Sequence, residues 1–171
     1  MASNELSIAE IYIGQAIREW ANLEGSLFFQ LQELMKIDQS RARILWMSLP
    51  NFAARRRLLE RLSETYLDDA HLPEYRRLLR RLKNLADTRN ALAHGQFLGT
   101  GVSGVYTVIY DKDDKSLGVD FSNERTFQLN NLKNFPNSIA QLNFDLSRFI
   151  FGTHVSPPER PKIHKLPKLH R

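Results

Sequence analysis

The sequence predicts a mainly α protein: a four- to five-helix bundle with one β-hairpin inserted before its last helix. Apolar residues recur at helical spacing through four successive segments before any strand-like stretch is met. Two short runs between residues 105 and 121 are then rich in β-branched and aromatic residues. A final segment returns to helical spacing and is long enough to close the bundle against the first helix.

Residues 5–36 make the first helix, with Ile13, Ile17, Trp20, Leu23, Leu27, Leu31 and Leu34 along one broad stripe. A shorter helix covers 40–47, and Pro50 marks the break before a third over about 52–66. Pro73 opens the fourth, because its missing amide proton costs nothing in a first turn. Its pattern runs through Leu78, Leu82, Leu85 and Leu92 to a stop at Gly95, the residue type that most often closes a helix. The hairpin is expected from 105–110 and 117–121, joined by the turn sequence Asp111-Lys112-Asp113-Asp114-Lys115. The last helix starts at Leu129 or Asn131 and ends at Phe151, carrying Leu132, Phe135, Ile139, Leu142, Leu146, Phe149 and Ile150.

A length of 171 residues suits one domain with a real core. Zero cysteines exclude a disulfide framework, a thiol nucleophile and a thiolate zinc site, and they fit a reducing compartment. No run resembles a bilayer span or a signal h-region, so a soluble cytoplasmic protein with no membrane partner is expected. The net charge of +5 resembles a nucleic-acid signature until it is divided by position. Residues 153–171 hold Arg160, Lys162, Lys165, Lys168 and Arg171 against Glu159, leaving only +1 for residues 1–152. The same stretch holds Pro157, Pro158, Pro161 and Pro167, a composition that favours extended chain. The domain is therefore placed at 1–152, followed by a basic, proline-rich tail at 153–171 whose ordinary role is to solubilise.

Several motifs have plain explanations. Gly99-Thr100-Gly101-Val102-Ser103-Gly104 fits G-x-G-x-x-G, but a dinucleotide site needs a strand before it and a helix after it. Here a helix is expected before it and a strand after it, so the stretch reads as a connector. Arg55, Arg56, Arg57 and Arg61, with Arg76, Arg77, Arg80 and Arg81, put eight cations on the third and fourth helices. Acidic neighbours make each one an ordinary surface ion-pair partner, although two such helices meeting at one end would attract a polyanion. No histidine spacing suits a metal, and no metal or cofactor is expected.

The informative segment is Asp87-Thr88-Arg89-Asn90-Ala91-Leu92-Ala93-His94-Gly95. At 100° per residue, Lys83, Asp87, Asn90 and His94 share one polar stripe, while Arg89 falls among Leu78, Leu82, Leu85 and Leu92. A guanidinium there stays ionised and needs an acidic partner or an opening to a cleft. Glu24 is misplaced in the same way on the first helix, within the row Ile13, Ile17, Trp20, Glu24, Phe28 and Leu31. Two opposite charges, one on each long helix, are expected to approach each other. The bland alternative is an ion pair that sets helix register, with His94 as a polar helix terminus. Arg148 and His154 have a comparable spacing but cross the expected helix end at Gly152.

Arg89-Asn90-x-x-x-His94, in the context Arg-Asn-Ala-Leu-Ala-His-Gly, resembles the motif of the HEPN superfamily: an arginine, a polar residue, then a histidine after four to six positions near a helix end. The long first helix with Glu24 is similar to that family's arrangement as well. The resemblance implies an α-bundle that dimerises so that motifs from two chains face one cleft. In many members it implies metal-independent endoribonuclease activity in toxin–antitoxin or defence systems. It makes Arg89, Asn90 and His94 the catalytic candidates, with Glu24 and Asp87 supporting, RNA and a second copy as partners, and an antitoxin protein as a candidate partner. The competing expectation is a non-catalytic HEPN-like module that binds RNA, nucleotide or a protein.

The chemistry explains why two chains would be needed. Metal-free RNA cleavage requires a base for the 2′-hydroxyl, an acid for the leaving 5′-oxygen and positive charge for the phosphorane. Histidine suits both proton steps near neutrality. The domain offers one well-placed histidine, because His71 falls in a loop and His154 in the tail. A two-fold dimer would supply the second, since an isologous interface presents the same stripe twice.

Overall fold

The computed structural model describes residues 2–99, 105–109 and 124–152. Helices α1 (Ala2–Met35), α2 (Gln39–Ser48), α3 (Phe52–Tyr66) and α4 (Leu72–His94) precede strands β1 (Gln96–Gly99), β2 (Val105–Ile109) and β3 (Glu124–Gln128), and α5 (Leu129–Gly152) closes the chain of elements. The class is the expected one: a mainly α bundle with a small antiparallel sheet before the last helix. The basic tail, 153–171, lies outside the described residues, as do the expected strand at 117–121 and the turn at 111–115.

Local chemistry sets most helix ends. Lys36 takes a φ of 51°, a left-handed residue that stops α1. Asp38 and Asn51 begin α2 and α3 by accepting from Arg41 N and Ala54 N, each at 2.9 Å. The Asp38 carboxyl is held below its ordinary pKa, chiefly by that backbone hydrogen bond. Before α4, Asp68 accepts from the backbone N–H of His71 at 2.9 Å and bonds its Nδ1 at 2.6 Å, and the backbone bond foremost lowers the Asp68 pKa. Pro73 lies in the first turn of α4, as expected.

The core forms around α1 and α5. Leu23, Leu27, Leu31 and Leu34 of α1 and Ile139, Leu142 and Leu146 of α5 are fully buried. Each such side chain contributes about 1.5–3 kcal/mol of transfer free energy. The stripe expected on α1 is narrower at its start, where Ala9 and Ala16 are buried and Ile13 and Ile17 are only half-buried. Pro136 sits buried inside α5, where it removes one helical hydrogen bond.

Three contacts set the helix directions. Arg89 of α4 lies over Trp20 of α1, whereas Tyr75 Oη donates to Gln30 Oε1 at 2.8 Å, so α4 runs antiparallel to α1. Arg81 pairs with Asp145, and Tyr75 packs on Phe149 with centroids 5.2 Å apart; together with the contacts of Thr88 and Leu92 beside Leu132 and Phe135, this makes α5 antiparallel to α4.

The sheet has the order β1-β2-β3 and is antiparallel throughout. The expected strand at 105–110 exists, but its described partners are 96–99 and 124–128. In β3 the sequence Glu-Arg-Thr-Phe-Gln offers one apolar residue, Phe127, which is buried opposite buried Tyr106. A strand pinned by one aromatic carries no alternation to read. The glycine-rich stretch also stands corrected: β1, rather than a helix, leads into it and ends on its first residue, Gly99, and residues 100–104 lie outside the described residues. Gly95 ends α4 in an extended conformation (φ −87°, ψ 156°) that feeds β1, so no left-handed cap is involved.

Candidate functional site

The site assembles around Trp20, which is 3% exposed and belongs to the core. Phe52, at the start of α3, packs against its ring with centroids 4.8 Å apart. The Arg89 guanidinium carbon stands 6.0 Å from the indole centroid, at the outer limit of a cation–π contact. Trp20 Nε1 donates to Glu24 Oε1 at 3.1 Å, one turn further along α1.

The two misplaced charges do converge on this indole, but they do not pair. Glu24 Oε2 lies 3.8 Å from Arg55 Nη1 of α3, and Arg55 in turn covers Trp46 at 5.1 Å. The expected Glu24–Arg89 contact is therefore replaced by Glu24–Arg55. Both charged side chains of that pair are mostly covered, at 31% and 21% exposure, so the attraction is less screened than at an open surface. Trp20 touches both charges: its N–H bonds Glu24 Oε1, and its ring faces the Arg89 guanidinium.

Arg89 is left with no carboxylate partner among the described residues. Its Nη1 donates to Asn90 Oδ1 at 3.2 Å, and its Nε is buried without a hydrogen-bond partner. Bonding through Oδ1 leaves the Asn90 amide nitrogen free to donate elsewhere. The polar stripe is as expected: Lys83, Asp87, Asn90 and His94 are all exposed. His94 is the last residue of α4, where Gly95 N–H donates to Ala91 O at 2.9 Å. Asp87 makes no ion pair with Arg89. A cavity of about 220 Å³ beside the last turns of α4 is bounded by Thr88, Leu92, Arg125 and Phe127, and none of Arg89, Asn90 and His94 lines it.

Trp20 and Arg55 belong to the cluster around Arg89 although the sequence pattern does not single them out. Trp20 stands four residues before Glu24 and so shares its helix face, which was a usable signal. Arg55 was hidden in a run of three arginines whose other members, Arg56 and Arg57, are a partner of Glu60 and an exposed side chain. Of the remaining arginines, Arg76 pairs with Glu64, Arg77 with Glu74 and Arg81 with Asp145, as ordinary helix-surface cations do. No protein-family profile, no curated protein and no solved structure matches this chain.

Proposed function

We propose that the protein is a HEPN-like, metal-independent endoribonuclease that cleaves RNA at a cleft shared by two copies of the chain. One observation carries this reading. Arg89 is held by an aromatic face and an amide rather than neutralised by a carboxylate, and an exposed histidine follows at the end of the same helix. An arginine in that state keeps its charge for an anion. The other described histidine, His71, lies at the opposite end of α4, roughly 34 Å away along the axis at 1.5 Å per residue. Among the described residues no second imidazole stands near His94, and in this reading a second copy of the chain supplies it.

In the proposed reaction His94 removes the proton from the 2′-hydroxyl, and the resulting oxygen attacks the adjacent phosphorus. The phosphorane charge is stabilised by Arg89 and the Asn90 amide. The P–O5′ bond breaks, and His94 of the partner subunit protonates the departing oxygen. The products are a 2′,3′-cyclic phosphate and a free 5′-hydroxyl. Trp20 and the Glu24–Arg55 pair act as positioning groups behind Arg89. A role as a toxin or defence component, countered by an antitoxin protein, belongs to the same reading.

Incubating purified protein with end-labelled RNA in excess EDTA tests the reading. Fragments ending in cyclic phosphate are expected, together with a dimer in sedimentation analysis. No cleavage overturns it and leaves a non-catalytic binding module, whereas cleavage that survives His94→Ala overturns the role given to His94.

A further inference from the structure

At the other end of α4 the surface is built differently. A groove of about 480 Å³ lies between the N-terminal half of α4 and the C-terminal half of α5. Arg77 and Arg81 enter it from α4 and Arg148 from α5, while Leu78 and Phe149 form its apolar part. Two carboxylates, Glu74 and Asp145, also line it. They do not contribute equally. Arg81 is fixed by Asp145 at 2.6 Å, whereas Glu74 approaches Arg77 only to 3.7 Å with both side chains more than half exposed, a pair that is weak in water. Arg148 is exposed and has no ion pair among the described residues. His71 contributes a half-exposed ring, set edge-on to Phe149 at 6.2 Å, with its Nδ1 engaged by Asp68.

We propose that this groove binds the phosphate backbone of a single-stranded polynucleotide, at the end of the bundle opposite His94. Cations beside a half-exposed aromatic ring, here His71, are an arrangement that holds single strands: phosphates take the charges and a base takes the imidazole face. An acidic protein segment would use the cations and leave the ring idle.

The test is fluorescence anisotropy with a labelled single-stranded RNA over a range of salt concentrations, using the full chain carrying His94→Ala so that RNA is not consumed. Adding Arg77→Ala and Arg148→Ala is expected to weaken binding at least tenfold. It should also flatten the plot of log K against log salt by roughly 1.4, the value for two lost phosphate contacts to a single strand. Both residues are exposed, so the thermal midpoint should not move, and Arg77→Lys with Arg148→Lys should retain binding. Unchanged affinity and slope in the double alanine variant overturn the proposal. So does binding that vanishes only when the five cations of 153–171 are changed to glutamine. Displacement by polyglutamate as effective as by unlabelled RNA overturns it in favour of an acidic protein. Cleavage is scored separately on the unmutated chain: a protein that binds RNA here but does not cut it refutes the ribonuclease reading and leaves the groove standing.

Discussion

Arg81 and Arg89 lie eight residues apart on α4, are chemically identical, and are used in different ways. Arg81 Nη1 donates to Asp145 at 2.6 Å, and Asp145 accepts again from Gln141 at 2.8 Å. The Arg81 bond foremost holds the Asp145 carboxyl below its ordinary pKa. That pair ties α4 to α5. Arg89 has an indole and a neighbouring amide instead, and Glu24, the carboxylate within reach of the same indole, is engaged by Arg55. An ion pair is locally neutral, whereas a cation over a π-face keeps its full charge. The contrast separates a brace from a candidate site: Arg81 ties two helices together through a carboxylate, and Arg89 has no carboxylate partner among the described residues.

The largest expected effect falls on activity. His94→Ala and Arg89→Ala should each lower EDTA-resistant RNA cleavage by at least about 10²-fold. Urea denaturation should show His94→Ala unchanged in stability, since the side chain is exposed. Undiminished cleavage by Arg89→Ala would reduce Arg89 to a structural residue. Next is Trp20→Ala, which empties the space shared by α1, α3 and α4 and should cost about 3–5 kcal/mol in a urea titration. Trp20→Phe keeps a ring while losing the donor to Glu24, so it should lose far less stability and report on the Glu24–Arg55 orientation.

Tyr75→Phe is expected to cost about 1–3 kcal/mol, because it leaves Gln30 Oε1 buried without its donor. Burial also raises the Tyr75 pKa well above its ordinary value. The folded state therefore holds a proton that the unfolded chain releases near pH 10, so stability present below that pH is lost as pH rises past it. Melts between pH 9 and 11 should show this alkaline loss reduced in Tyr75→Phe. Asp145 has the opposite sign: its lowered pKa contributes stability above the ordinary carboxylate range, and this is lost as pH falls through the folded value.

The smallest effects sharpen the comparison most directly. Arg81→Met should cost about 1 kcal/mol or less, discounted because Arg81 and Asp145 are 39% and 29% exposed. Arg89→Met should be neutral or stabilising, since it replaces a cation with a buried, unpaired Nε by an apolar chain of similar length. Denaturation midpoints showing Arg89→Met as the more damaging of the two would make Arg89, and not Arg81, the brace.

Helix positions were legible because they depend on neighbours a few residues away. Pro50, Pro73 and the spacing of Leu78, Leu82 and Leu92 mark α3 and α4 to within a residue or two. Gly95 marked the correct end for a different reason, since it is extended and leads into β1. The strands at 96–99 and 124–128 were not legible. They are short, and β3 is held in register by Phe127 against Tyr106, a partner 21 residues away. At the site, the oddity of Arg89 and Glu24 and the polar stripe through Asn90 and His94 could be read from periodicity. Which carboxylate met which cation could not.

By itself the sequence determined the helical class, the boundaries of five helices and the face of α4 that carries Asp87, Asn90 and His94. These follow from a repeat of 3.6 residues and from capping groups, interactions whose range is one or two turns. Tertiary structure alone decided that Glu24 would serve Arg55, that Trp20 would stand between Glu24 and Arg89, and that Arg77, Arg81 and Arg148 would border one groove. Charge pairing acts across whatever distance packing leaves, and that distance depends on how α1, α3, α4 and α5 are set against one another, which no local pattern encodes.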